Sequence, residues 1–203
     1  MFEYCVCTIE HLVVVYSNMK CFMVLIVTII CKDVGQPKRT FTKRVLKKGL
    51  PPSIPLVFRN TYEYHSDTNS LKLKEDQDSE VKLQVYKQAA TLIQGITKPV
   101  AVISICGRYR SGKSYFLSRM LGSSNAFSLG HTMHACTFGI WMGTTVLECD
   151  DYVILLLDTE GIDAVGTTGA SDASILVMTI LLSSYMIYNS LQVPTRGDLE
   201  KMR

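Results

Sequence analysis

The stretch from Gly107 to Ser114 reads GRYRSGKS and satisfies the spacing G-x-x-x-x-G-K-[ST]. It follows the apolar run PVAVISICG, which is typical of a strand buried on both faces of a parallel sheet. The next residues, SYFLSRML, predict a helix. Two glycines let backbone N–H groups converge, and the helix start adds the positive end of its dipole. The stretch predicts a phosphate-binding loop; a basic turn between strand and helix is the alternative.

Further residues have the chemistry of a magnesium triphosphate site. Lys113 is expected to contact the β and γ phosphates, and the Ser114 hydroxyl to complete the coordination of Mg2+. The apolar run Val153 to Leu157 predicts a buried strand that ends at Asp158, where a magnesium-associated carboxylate belongs. Gly161 leaves a backbone N–H free to face the γ-phosphate.

The segment between these motifs, FSLGHTMHACTFGIWMG, offers a switch threonine, and either Thr137 or Thr132 can supply it. His131 and His134 are spaced as H-x-x-H. No third ligand stands beside them, so this pair is interpreted as loop chemistry and not as a metal site.

Composition limits the class of protein. A chain of 203 residues with 47% hydrophobic residues can form one domain with a core. The net charge of +3, with 19% charged residues, gives no footprint for nucleic acid, so no nucleic-acid partner is expected. Seven scattered cysteines without a C-x-x-C pair indicate reduced thiols and a cytoplasmic protein.

The chain divides into three zones. Residues 1–31 form an apolar N-terminal extension whose longest uninterrupted run, Cys21 to Cys31, is shorter than the ~20 residues of a spanning helix. A membrane anchor and a buried or extraneous extension both stay open. Residues 32–55 are interpreted as a basic, proline-containing linker, and residues 56–203 as the globular part. If the extension spans a membrane, one cluster of basic residues would hold the globular part in the cytosol. That cluster comprises Lys32, Lys38, Arg39, Lys43, Arg44, Lys47 and Lys48.

Elements of the globular part alternate in type. LVF and SLKLK predict short strands around a polar turn, and apolar residues at helical spacing predict a helix over Ser79 to Ile96. A helix that leads into the buried run before Gly107 indicates an α/β fold.

Four motifs in order, GRYRSGKSYFLSRMLG, FSLGHTMHACTFGIWMG, LLLDTEGIDAV and LLSSYMIYNS, resemble the guanylate-binding protein and atlastin group of dynamin-related large GTPases. The likeness is stronger to guanylate-binding proteins. It implies a P-loop GTPase G domain with a mostly parallel sheet flanked by helices, here C-terminally truncated. It also implies GTP as substrate, Mg2+ as cofactor, and a homodimer through G domains.

The resemblance implies roles for single residues. Arg110 corresponds to an arginine finger inside the phosphate loop, Glu160 to a water-positioning residue, and Lys113 to a phosphate contact. Ser114, Thr137 and Asp158 correspond to magnesium ligands. The nucleotide-binding set implied is Gly107, Arg108, Tyr109, Arg110, Ser111, Gly112, Lys113, Ser114, Tyr115, Asp158 and Gly161.

Two departures stand out. Ala135 replaces a hydroxyl residue that relays a proton in the family, which predicts slower hydrolysis. The guanine-reading Arg-Asp pair of the family lies beyond Arg203, so we expect the reading frame to continue there. The sequence TRGD at Thr195 to Asp198 is interpreted as a helix start. An alternative function is nucleotide-dependent G-domain pairing on a membrane with little turnover.

Overall fold

The computed structural model describes residues 8–9, 12–16, 40–74, 80–108, 110–127, 138–159 and 169–190. Three helices occur in these ranges: α1 (Lys87–Gln94), α2 (Lys113–Met120) and α3 (Gly169–Leu182). The twelve strands are β1 (Thr8–Ile9), β2 (Leu12–Tyr16), β3 (Thr42–Val45), β4 (Ser53–Arg59), β5 (Tyr62–His65), β6 (Ser70–Leu73), β7 (Leu83–Val85), β8 (Val100–Gly107), β9 (Ile140–Gly143), β10 (Thr145–Glu148), β11 (Val153–Thr159) and β12 (Tyr185–Ser190).

Ten of these strands form one sheet in the order β1-β2-β12-β8-β11-β9-β4-β7, with β10 bridging β11 and β3. Strands β2, β12, β8 and β11 run parallel to one another. Strands β5 and β6 form a separate hairpin. The phosphate-loop sequence begins where β8, inside the parallel part, ends.

The prediction of a mostly parallel sheet flanked by helices is wrong. Seven of the ten strand pairings are antiparallel among the described residues, and only three are parallel. The physical reason is the length of the connections. Four residues separate β10 from β11, and four separate β5 from β6. Strands β9 and β10, which flank Thr144, both pair antiparallel with β11. Parallel neighbours need a crossover of a dozen or more residues, so these short connections require antiparallel strands.

The core has two layers, one on each face of the sheet. Helix α2 packs Leu117 against Ile103 of β8 and Leu156 of β11. Helices α1 and α3 cover the opposite face, where Ala89 and Ile175 pack with alternate residues of β11. Because successive side chains of a strand point to opposite faces, β11 contributes to both layers and is buried along its whole length.

The junction between α3 and β12 is joined to β8 by a reciprocal pair of hydrogen bonds. Ser184 N donates to the Val102 carbonyl over 2.8 Å, and Val102 N donates to Ser184 Oγ over 3.0 Å. This attachment fixes where β12 starts beside β8. It therefore also fixes where β12 ends, next to the loop that follows β8.

Several predicted elements need revision. The helix predicted over Ser79 to Ile96 is half as long, and its first part is the strand β7, whose Val85 is 57% exposed at the edge of the sheet. Tertiary pairing with β4 overrides the helical spacing there. The strands predicted at LVF, SLKLK and PVAVISICG are confirmed, as is the helix after the loop.

The sheet extends into the range interpreted as a linker. Strand β3 pairs antiparallel with β10, and β4 begins at Ser53. Within residues 1–39, the structure describes the backbones of β1 and β2 and nothing further. Among the helices described, none combines the length and the apolar character needed to cross a bilayer.

Candidate nucleotide site

Among the described residues of the stretch 107–114, three have a positive φ. They are Gly107 with φ +137°, Arg110 with φ +59°, and Gly112 with φ +87°. A side chain at Gly107 would meet the Asn189 carbonyl oxygen at 2.1 Å, so this position requires glycine for packing as well as for conformation. Positive φ values at these positions turn the backbone, and a turned backbone of this kind is how successive N–H groups come to surround an anion.

Helix α2 begins at Lys113, directly after Gly112. The Lys113 side chain is 6% exposed, and its Nζ donates a hydrogen bond of 3.1 Å to the Arg108 carbonyl oxygen. The ammonium group is thereby held beside the loop. A positive charge, the helix N-terminus and the curled backbone meet in one place, and each of them favours an anion.

The Ser114 hydroxyl donates to Asp158 Oδ2 over 2.6 Å. Because β8 and β11 are parallel neighbours with Asp158 opposite Ile105, the carboxylate lies near the edge at which the loop begins. Asp158 is the last residue but one of β11, close to the strand end predicted for it, and is 1% exposed. Its other oxygen, Oδ1, is buried and has no hydrogen-bond partner within the described ranges.

Burial raises the pKa of Asp158 to about 6, although the charge of Lys113, the hydrogen bond from Ser114 and the neighbouring Thr159 backbone N–H oppose that rise. A buried carboxylate with one unpaired oxygen is costly unless a cation or a proton compensates it. The Asp158 and Ser114 oxygens are of the hard donor type that Mg2+ prefers. No group of three His, Cys, Asp or Glu side chains able to hold a metal occurs in the described part.

Comparison with known proteins adds the family. Residues 78–203 match the family model described as "Guanylate-binding protein, N-terminal domain". The chain belongs to this family. It is 37% identical over 128 residues to guanylate-binding protein 4 of Homo sapiens, covering 62% of this chain and 20% of that relative. It is 40% identical over 123 residues to guanylate-binding protein 2 of Homo sapiens, covering 60% and 21%. The chain thus spans about a fifth of the length of these relatives.

Within this guanylate-binding protein domain, the structure brings together part of the predicted residue set. Gly107, Gly112, Lys113 and Ser114 lie around the loop and helix start, with Asp158 beside them. Arg108 and Arg110 are exposed on the loop, and Tyr115 is half-buried in α2. The remaining predictions, Tyr109, Thr132, Thr137, Glu160 and Gly161, lie outside the described residues, as do His131, His134 and Ala135.

Sequence analysis of this family member missed Asn189. Its side-chain Nδ2 donates to the Ser111 carbonyl oxygen over 2.7 Å and reaches Ser111 Oγ at 3.3 Å. Asn189 is 5% exposed near the end of β12. A signal was present, because an amide side chain near the end of an apolar strand needs a buried partner. The sequence did not show that this strand lies beside β8.

Proposed function

We propose that this member of the guanylate-binding protein family binds GTP at the loop of residues 107–114 and hydrolyses it to GDP and phosphate. One observation carries the proposal: Lys113 and Ser114 begin a helix at the end of β8, and Ser114 is hydrogen-bonded to a buried carboxylate on the neighbouring strand. A site for an anion alone would need only the backbone N–H groups of the loop and Lys113. A buried acid beside that anion site fits only if a cation lies between them.

The residues present fit a magnesium ion. The Oδ1 atom of Asp158 is buried without a partner in the described ranges, and the Ser114 hydroxyl lies next to the same carboxylate. Ser114 and Asp158 would hold the ion. When bound, it supplies neutralisation of the phosphate oxygens.

The protein's own groups would fix the substrate. Backbone N–H groups of the loop donate to the phosphate chain, and Lys113 exchanges its hydrogen bond to the Arg108 carbonyl for contacts with phosphate oxygens. Water attacks the γ-phosphorus, the bond to the β-γ bridging oxygen breaks, and GDP leaves. Because the transferred group has little covalent help from the protein, position and charge supply the catalysis.

Arg110 is proposed as the arginine that neutralises charge developing between the β and γ phosphates. It is exposed on the loop with a left-handed backbone, so its side chain starts from the rim of the site. Family roles proposed for residues outside the described ranges are water positioning for Glu160, magnesium binding for Thr137, and a γ-phosphate contact for the Gly161 N–H. Pairing of two copies through this face, and membrane association through residues 1–31, belong to the same proposal.

The test compares Lys113→Ala with Lys87→Ala, a control on an exposed lysine of α1. Affinity for a fluorescent GTP analogue is measured with Mg2+ and with EDTA, and phosphate release is followed separately. We expect Lys113→Ala to weaken binding at least about tenfold, and the control to match the parent chain. Unchanged affinity in folded Lys113→Ala protein would refute the proposal. Binding and GTP-dependent pairing without phosphate release would leave the nucleotide site standing and refute the hydrolysis.

A further inference from the structure

The side chain of Asn189 connects β12 to the phosphate loop. In the parallel register Asn189 stands opposite Gly107, the last residue of β8. Its amide then reaches past the strand end to Ser111, which is 5% exposed. A carbonyl oxygen can only accept, so the group that faces Ser111 O must be the NH2 of the amide. Asn189 therefore supplies a buried hydrogen-bond donor to the carbonyl group of one loop peptide.

That peptide joins Ser111 to Gly112, and its orientation matters for anion binding. The described peptides include no cis bond, so the carbonyl of Ser111 and the N–H of Gly112 point in opposite directions. The order of strands is β12, then β8, then β11. With its carbonyl directed to Asn189 of β12, the peptide directs the Gly112 N–H away from Asn189.

Nothing in the local sequence would hold this orientation. A peptide plane turns over by linked changes in ψ of the first residue and φ of the second, and glycine accepts either sign of φ. Gly112, with φ +87°, has open space around its Cα. The peptide therefore needs an external hydrogen bond to stay in one orientation, and Asn189 supplies it.

We propose that Asn189 is a positioning residue that fixes the Ser111–Gly112 peptide so that the Gly112 N–H is a preset donor to phosphate. This inference rests on the proposed function of the loop. Without Asn189, the Ser111–Gly112 peptide is turned over in a fraction of the molecules. Its carbonyl oxygen then faces the phosphate and repels it. The affinity for Mg-GTP then falls for two reasons. A fraction of the molecules has the peptide in the wrong orientation, and one charge-assisted hydrogen bond to phosphate is lost.

The main variant is Asn189→Asp, which keeps the shape of the side chain and replaces the donor by a carboxylate that repels the Ser111 oxygen. Asn189→Ala removes the contact without repulsion. Asn125→Asp makes the same chemical change at an exposed position after α2 and is the matched control. The full 203-residue chain is used throughout.

Two measurements are made. Affinity for Mg-GTP is expected to fall about tenfold to a hundredfold in both Asn189 variants and to stay unchanged in Asn125→Asp. The Gly112 amide proton, followed by NMR, is expected to shift downfield on addition of Mg-GTP in the parent chain and in Asn125→Asp, but not in Asn189→Asp. A residue that only supports the fold would lower the melting temperature and leave this shift in place.

The outcomes separate the two proposals. If the parent chain does not bind Mg-GTP, the proposed function fails. If it binds, and the Asn189 variants bind equally well with the same Gly112 shift, the positioning role alone is overturned. Should both Asn189 variants unfold, the proposal is tested by hydrogen exchange of side-chain amide groups in the parent chain. The Asn189 NH2 must exchange more slowly than that of Asn125, and equal rates overturn the proposal.

Discussion

Ser114 and Asp158 are joined by a hydrogen bond of 2.6 Å between the first turn of α2 and β11, the last strand of the parallel group. The bond uses one carboxylate oxygen and leaves Oδ1 without a partner in the described part of the chain. A link of this kind couples the helix that starts at the loop to the strand that carries the acid. Substitution at either end is therefore expected to affect more than local packing.

Ser114→Ala is expected to remove the magnesium dependence of nucleotide binding, because it deletes a hard oxygen donor beside Asp158. Affinity in Mg2+ should fall at least about tenfold, while affinity in EDTA changes little. Titration calorimetry in both buffers measures this. Ser118→Ala, one turn further along α2, is the control. Its Oγ accepts from Phe127 N over 3.0 Å, so it should lower the free energy of unfolding by about 1–3 kcal/mol and preserve the magnesium dependence. Equal magnesium dependence in both variants would contradict the assignment.

Gly107→Ala is expected to destabilise the chain by more than about 3 kcal/mol, because the new methyl group would lie 2.1 Å from the Asn189 carbonyl oxygen. Gly49→Ala provides the comparison, since Gly49 also has a positive φ but nothing within 4 Å of the added carbon. It should cost about 1–2 kcal/mol through backbone strain alone. Urea unfolding at neutral pH measures both. Similar losses of unfolding free energy in the two variants would show that the close approach to the Asn189 carbonyl does not contribute.

Stability should depend on pH through Glu148, a half-buried carboxylate of β10 that is paired with two basic side chains. Hydrogen bonds from Lys98, with Nζ 2.8 Å from Oε1, and from Arg44 lower the pKa of Glu148 below its ordinary value of about 4.3. A lowered folded-state pKa stabilises the fold above the ordinary value and loses that effect as the pH falls through the folded-state value. Glu148→Gln should therefore lower the melting temperature slightly at pH 7.

The difference between the parent chain and Glu148→Gln should shrink as the pH falls below the ordinary value and vanish below the lowered folded-state pKa. It should also shrink in high salt, because the paired side chains are partly exposed. Melting curves over a pH series test this. A difference that persists in strong acid would mean that the glutamine disturbs packing instead of removing an ion pair.

Trp141, the one tryptophan of the chain, should report on the site by fluorescence. It is 4% exposed, its indole N–H donates to the Phe138 carbonyl over 2.9 Å, and it pairs with Asp158 in the β9–β11 register. Emission should be blue-shifted and poorly quenched by iodide. Mg-GTP should change its intensity in the parent chain but not in Lys113→Ala. Emission typical of a solvated indole would contradict this environment.

Sequence reasoning identified the elements around the loop because their signals are local. Spacing alone predicted the strand before Gly107 and the helix after it, and the carboxylate at Asp158 followed from one apolar run. The direction of the outer strands was mispredicted because it depends on short connections, such as residues 149–152 between β10 and β11, whose importance appears only once the strands on both sides are known. Asn189 was missed for a related reason. Its partner is 78 positions earlier in the chain, and no local pattern indicates which strands are neighbours.

Strand β2 pairs in parallel with β12, so Leu12 lies beside Met186 although nearly the whole chain separates them. During synthesis on the ribosome, residues 12–16 emerge well before residues 185–190 and must wait for them before they can pair. Such distant partners close late and slowly. The half-made chain therefore carries an apolar segment with no native neighbour, and this interval is when chaperone assistance should matter most for the protein.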